Sequence, residues 1–179
     1  MNLKAILYAF ACLSFSVVIG AAVYEHLAVV PQWSAGPPFS LSMFQGKYGL
    51  NAAAFWIPIH PVTLLLLMGA LVCAWKTDGR KHVLITLAGY VTILGITAVY
   101  FVPELLAITG TAFSETIDPS LTQRAQLWEL MSLVRLSVLV VLAIVLFVGL
   151  TRLHVSRVAA RKYAEEIGAA ARVKAAVGA

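Results

Sequence analysis

Six ionisable residues stand within, or at the rim of, stretches otherwise built from Leu, Val, Ile, Ala and Phe: Glu25, His26, His60, Glu104, Glu129 and Arg135. Such groups are costly in an apolar setting, and they mark sites of proton transfer, ligand binding or metal binding. A carboxylate or an imidazole can take or give a proton, and an arginine can hold a developing oxyanion. Arg135 carries the most weight, because a guanidinium deep in a bilayer costs at least about 2.5 kcal/mol on the mildest insertion scale. It is therefore expected to face inward and to find a counter-ion, Glu25 or Glu104, with His60 alongside. The result would be a buried polar cavity open towards the outer surface. In that cavity Glu25 or His60 would act as base and Arg135 would hold the oxyanion. Trp56, Tyr100 and Trp128 would give flat apolar walls, and Tyr24, His26, Glu104 and Glu129 are further candidates for binding.

Each of these residues also has a purely structural reading. Glu104 and Glu129 can be headgroup-level residues that reach water, and His60 can be a neutral histidine satisfied by a carbonyl. His26 lies about 100° round the helix from Glu25, so the two cannot both point at the bundle axis, and His26 is expected to meet the headgroups. A network of structural ion pairs is the general alternative to a site.

The elements that must position these residues follow from composition. The chain has 179 residues, of which 61% are hydrophobic and 12% charged. That is about half the charged fraction of a soluble domain, so the chain reads as an integral membrane protein with one domain. Apolar stretches at about 5–30, 54–75, 83–103 and 127–151 are each long enough to cross about 30 Å of hydrocarbon. The predicted fold is an all-α four-helix membrane bundle. Pro31 and Pro103 are expected to end the first and third helices, and the second should open around Pro58 or Pro61.

Charge placement orients the bundle. Lys4, then Lys76, Arg80 and Lys81, then Arg152, Arg157, Arg161, Lys162, Arg172 and Lys174 fall on one side. Only Lys47 and Arg124 occupy the opposite loops. The positive-inside rule then predicts an N-in/C-in protein, with cytoplasmic termini, in a bacterial inner membrane. Lys4, the apolar run that follows and Gly20-Ala21-Ala22 also fit a cleaved secretory signal. The continuing apolar run Leu27-Ala28-Val29-Val30 favours a retained helix. Residues 152–179 form an Ala-rich basic tail expected to be helical and to touch anionic lipid, or else to dock a partner. Trp33, Trp56 and Trp128 near one boundary and Trp75 near the other read as an aromatic belt. The expected partners are membrane lipid and a small hydrophobic molecule, with no nucleic acid.

Metal chemistry is the other branch. Four-helix bundles hold di-metal centres through Glu-x-x-His motifs, and that spacing occurs nowhere in the chain. A mononuclear metal held by His26, His60 and a carboxylate, or haem b held between His26 and His60, is the form left open. Cys12 and Cys73 fall inside apolar runs and show no zinc or redox spacing.

The segments YEHLAVVPQW, PPFSLSMFQGKYGLNAAAFWIPIHP, TAVYFVPELLAI and RAQLWELMSLVRL resemble bacterial four-helix membrane proteins related to the anthrone oxygenase-like family. The resemblance covers roughly residues 20–140 and leaves out the tail. Its cues are Tyr24-Glu25, Val30-Pro31 with Trp33, Phe44 and Gly46, Tyr48-Gly49, Phe55-Trp56, His60, Tyr100 with Pro103, and Arg124 with Trp128 and Arg135. It implies the four-helix architecture and site roles for Glu25, His60 and Arg135, while His26 and Glu104 fall outside the matched pattern. It also implies an oxygenase- or oxidoreductase-like activity on a small hydrophobic compound. The alternative is a non-enzymatic bundle that binds lipid or a partner.

Overall fold

The computed structural model describes residues 3–177, with side chains described for residues 4–152 and 165–168. Four helical spans are long and apolar enough to cross a membrane: Lys4–Ser34, Ala53–Ala74, Arg80–Thr109 and Pro119–Arg152. The first packs against the second and fourth, and the third packs against the same two. The four therefore form a ring in which sequence neighbours are spatial neighbours. One end of the bundle carries the connections through residues 35–52 and 110–118, and is called the loop end here. The other carries the short connection through residues 75–79. The fourth span is part of one helix, Pro119–Val177, so the basic tail continues it without a break.

The spans run past the prolines expected to stop them. After Leu3–Tyr24 the first span passes through a π-helical turn, Glu25–Val29, and resumes as Val30–Ser34. The third does the same: Arg80–Ile96, a π-turn at Thr97–Phe101, then Val102–Thr109. In each π-turn the N–H of a valine reaches back five residues, Val30 to the Glu25 carbonyl and Val102 to the Thr97 carbonyl. The next residue in each case is proline, Pro31 or Pro103. A proline ring clashes with the carbonyl four residues earlier and offers no N–H. Widening the preceding turn by one residue relieves that clash and lets the helix continue. The second span opens at Ala53, close to the start of its apolar stretch, and keeps Pro58 and Pro61 inside it instead of opening at them.

Two apolar clusters fill the bundle. The larger, away from the loop end, joins Tyr8, Phe15, Val18, Leu67, Tyr90, Leu139 and Leu146 among others. The smaller closes the loop end with Val30, Trp33, Leu41, Phe101, Ile108, Leu121, Ala125 and Trp128. Trp33 meets Trp128 edge to face at 5.5 Å, and Trp128 meets Phe101 at 5.9 Å. With exposures of 2% and 5%, Trp33 and Trp128 are core residues and not members of an interfacial belt. Burying their rings stabilises the loop end, and the Trp128 N–H is satisfied by the Phe101 carbonyl at 2.9 Å. Leu27, Ile57, Leu65, Val72, Val99 and Ile144 project outwards on the four spans, as side chains that face lipid should.

Asp118 fixes the start of the fourth helix. Its Oδ1 accepts from the Ser120 and Leu121 N–H groups at 2.8 and 3.3 Å and from the Ser120 hydroxyl at 2.8 Å. Pro119 takes the first helical position, where a missing N–H costs nothing.

Candidate functional site

Between the two apolar clusters the first, third and fourth spans cross a layer that belongs to neither. It covers the residues between Val18 and Val30 in the first span, Ile93 and Phe101 in the third, and Trp128 and Leu139 in the fourth. Both π-turns lie in it, and so do Glu25, His26, Thr97, Ser132 and Arg135. The second span contributes His60 and Thr63 beside this layer, and Trp56, which also packs against the larger cluster. A π-turn re-aims the residues that follow it by about 100° relative to an unbroken helix, and such turns recur at functional sites.

Arg135 donates from Nη1 to the Thr97 hydroxyl at 3.1 Å and from Nη2 to the Ser132 hydroxyl at 2.7 Å. Its guanidinium carbon lies 4.2 Å from the centroid of the Phe101 ring, which adds a cation–π contact. The expected carboxylate partner is not in contact. Glu25 and Arg135 lie within electrostatic reach of each other, as do His60 and Arg135, but no direct ion pair joins them. Two hydroxyls and a ring leave part of the donor fork uncommitted.

Glu25 is held by the second span. Its Oε1 accepts the Trp56 indole N–H at 2.7 Å. Trp56 also stacks on His60, with ring centroids 5.4 Å apart and 22° between planes. His60 Nδ1 shares a hydrogen with the Tyr90 hydroxyl at 2.7 Å. Glu25, Trp56 and His60 are half-buried on the seam between the first and second spans. Trp33, Leu41, Phe101 and Trp128 pack together at the loop end of the bundle.

The remaining expectations divide. Glu104 does not approach Arg135; it forms a two-pronged pair with Arg124, Nε to Oε1 at 2.8 Å and Nη2 to Oε2 at 3.0 Å. The sequence places Thr97, Tyr100 and Glu104 on one helical face, but the π-turn at Thr97–Phe101 breaks that register. Thr97 therefore turns inward, Tyr100 is exposed beside Phe101, and Glu104 reaches the rim. Glu129 accepts from the Ser34 hydroxyl at 2.7 Å, a link between the fourth and first spans. Tyr24 is 65% exposed and takes no part in the layer. His26 is not among the headgroups. It is 9% exposed, and its Nδ1 lies 2.8 Å from the Ala22 carbonyl. A carbonyl only accepts, so Nδ1 carries the hydrogen, and Nε2 is buried with no partner among the described residues.

Comparison of the chain with family models, with curated proteins and with solved structures finds no match.

The side chains decide more than that comparison. Among the described residues no three of His, Cys, Asp and Glu are grouped as metal ligands, so His26, His60 and a carboxylate do not converge as a mononuclear site would need. Cys12 is buried in the larger apolar cluster and Cys73 is half-buried; both are free thiols. Sequence reasoning missed Ser132, Phe101, Tyr90, Thr63 and Ser14. Ser132 alone left a signal, standing one helical turn before Arg135 on the same face.

Proposed function

We propose that the polar layer binds a small hydrophobic molecule through a negatively charged or polarised oxygen and moves a proton on it, as an oxygenase- or oxidoreductase-like membrane enzyme would. The observation that supports this most is Arg135. A cation placed between two apolar clusters, held by hydroxyls and a ring but by no carboxylate among the described residues, is poised for an anion that is not part of the chain. The stacked Trp56 and His60 rings offer a flat apolar wall on the seam, where a lipid-soluble compound would enter from the bilayer.

In this reading Glu25 or His60 removes a proton from an acidic C–H or O–H of the ligand. Arg135 holds the oxygen on which the charge collects. Such an electron-rich anion is the form that dioxygen or another acceptor of electrons oxidises. The site would face the outer side of a bacterial inner membrane, with the basic turn and tail in the cytoplasm, as the charge distribution suggests.

Purified protein in lipid nanodiscs, titrated with 2-naphthoate and followed by tryptophan fluorescence, tests the reading. Saturable binding is expected, and Arg135→Gln should weaken it about 10- to 100-fold, the range of one charge-assisted hydrogen bond. Naphthalene, which lacks the oxyanion, should not distinguish the two proteins. Equal affinity of wild type and variant for 2-naphthoate would sink the proposal.

A further inference from the structure

Three contacts fix the height of the second span against the first. Leu7 packs on Gly69, where a Cβ would stand 3.0 Å from the leucine side chain. The Ser14 and Thr63 hydroxyls lie 2.7 Å apart, and the Trp56 indole N–H donates to Glu25 at 2.7 Å. The two spans run antiparallel, so the second span starts, at Ala53, near the level of Ala28. The segment Val30–Ser34 of the first span rises past it.

The second span has no length to spare. Its 22 residues measure about 33 Å at 1.5 Å per residue, against about 30 Å of hydrocarbon. Beside this span the apolar zone of the bilayer must therefore end close to Ala53 at the loop end. At the other end it must stop close to Ala74, where Trp75 and Lys76 follow. Leu50 precedes Ala53 by three residues, so it stands no more than about 10 Å from that boundary. The polar headgroup layer occupies about 5–7 Å there.

The part of the connection that meets this layer is built to display two residues. The Gly49 N–H donates to the Gly46 carbonyl at 3.2 Å, closing a turn with Lys47 and Tyr48 at its tip. Gly46 has φ +74°, which glycine adopts freely, and a Cβ on Gly49 would collide with the Phe44 carbonyl oxygen. The Leu50 N–H donates to the Met43 carbonyl at 2.9 Å and ties the turn to the short helix Phe39–Phe44, whose Leu41 is buried in the smaller cluster. On this turn Tyr48 is 91% exposed and Leu50 42%. The Lys47 ammonium stands 5.7 Å from the centre of the Tyr48 ring, and Lys47 is the one charge in residues 45–52.

We propose that the turn at 46–49 is a lipid-binding tip: Tyr48 enters the headgroup layer of the leaflet at the loop end, and Lys47 pairs with the phosphodiester of a phospholipid there. The tyrosine ring and the lysine methylenes suit the upper acyl chains, while the hydroxyl and the ammonium suit the esters and phosphates above them. The interfacial place expected of Trp33 and Trp128 is thus taken by a residue of the connection. The tip is separate from the polar layer and does not depend on the ligand proposed for it.

Protein labelled with fluorotyrosine, at one copy per nanodisc of phosphatidylcholine and phosphatidylglycerol, tests this by fluorine NMR. The Tyr48 signal is assigned by its loss in Tyr48→Phe, which leaves the hydrogen bonds of the turn in place. A lipid nitroxide just below the headgroups should broaden this signal more than a nitroxide near the chain end or a gadolinium chelate dissolved in water. Lys47→Gln should shift the balance between the headgroup-level nitroxide and the soluble chelate towards water by up to about fivefold, the factor for one cation at an anionic surface. A Tyr48 signal broadened chiefly by the soluble chelate overturns the proposal, because the tip then stands in water. Protection from the chelate and from both lipid probes overturns it too, because protein then covers the ring. A balance unchanged in Lys47→Gln overturns the phosphate contact given to Lys47.

Discussion

Arg124 and Arg135 stand on one helix, about 16 Å apart and close to the same face, yet they are held in opposite ways. Arg124 is at the rim, with its side chain 47% exposed, and meets the Glu104 carboxylate with two parallel hydrogen bonds. Arg135 is deep in the bundle and, among the described residues, meets Thr97, Ser132 and the Phe101 ring. One cation is answered by an anion of the chain, and the other is solvated by neutral groups with donors to spare. The difference separates a fastening between two helices from a place prepared for a visitor. It also shows why a carboxylate near in sequence pattern need not be near in space. Pro103 and the π-turn before it direct Glu104 outwards to Arg124 and leave Thr97 to face Arg135.

The largest effect that can break this contrast is expected from Arg135→Leu. Binding of 2-naphthoate should fall at least tenfold, while thermal stability is kept or raised, because a desolvated charge without an ion partner has been removed. If stability instead fell by about 3–5 kcal/mol, as when a buried ion pair is broken, Arg135 would be a structural residue like Arg124.

Next in size come the prolines that impose the π-turns. Pro31→Ala restores a backbone N–H and removes the ring clash, so the turn at Glu25–Val29 can close to an ordinary α-turn. Glu25 would then shift about 100° relative to the segment beyond it. The Trp56 indole N–H resonance should move as its bond to Glu25 breaks, with a loss of ligand affinity and no loss of helix content. An unchanged Trp56 signal would show that the π-turn does not depend on the proline.

The rim pair should matter least among the charges. Arg124→Leu and Glu104→Gln are each expected to change stability by no more than about 1 kcal/mol in reversible unfolding, and to leave 2-naphthoate affinity as it was. A tenfold loss of affinity in either would place the rim pair in the site.

The smallest effect concerns acid. Three hydrogen bonds, two from Ser120 and one from Leu121, hold the Asp118 carboxyl below its ordinary range. Its folded value is thus lower than its unfolded one. The stabilisation is therefore fully present above the ordinary carboxylate value of about 3.9, and it fades as pH falls through the depressed value. Asp118→Asn should flatten that part of the curve of melting temperature against pH and leave the neutral range little changed.

Much of the frame was legible in the sequence. Runs of apolar residues with few charges can only be helices that bury every backbone N–H and C=O within themselves, so four spans and their rough limits follow from composition. Glu25, His60 and Arg135 were identifiable for the same reason, since ionisable groups in such runs are exceptions. What misled was the punctuation. The strings EHLAVVP and TAVYFVP each hold a π-turn followed by Val-Pro, and a proline there looks like a stop. The aromatic residues misled too. Trp33 and Trp128 have the positions of interfacial anchors, and only packing across the first and fourth spans turns them into a core.

The sequence alone therefore determined an all-helical membrane bundle and a short roster of polar residues, because the cost of exposing backbone and charge to lipid depends on local composition. The tertiary structure decided which of those residues meet. Glu25 goes to Trp56, His60 to Tyr90, Glu104 to Arg124, and Arg135 to hydroxyls and a ring. Those partnerships depend on how two π-turns rotate one part of a helix against another and on which helices lie side by side, and hydropathy carries neither.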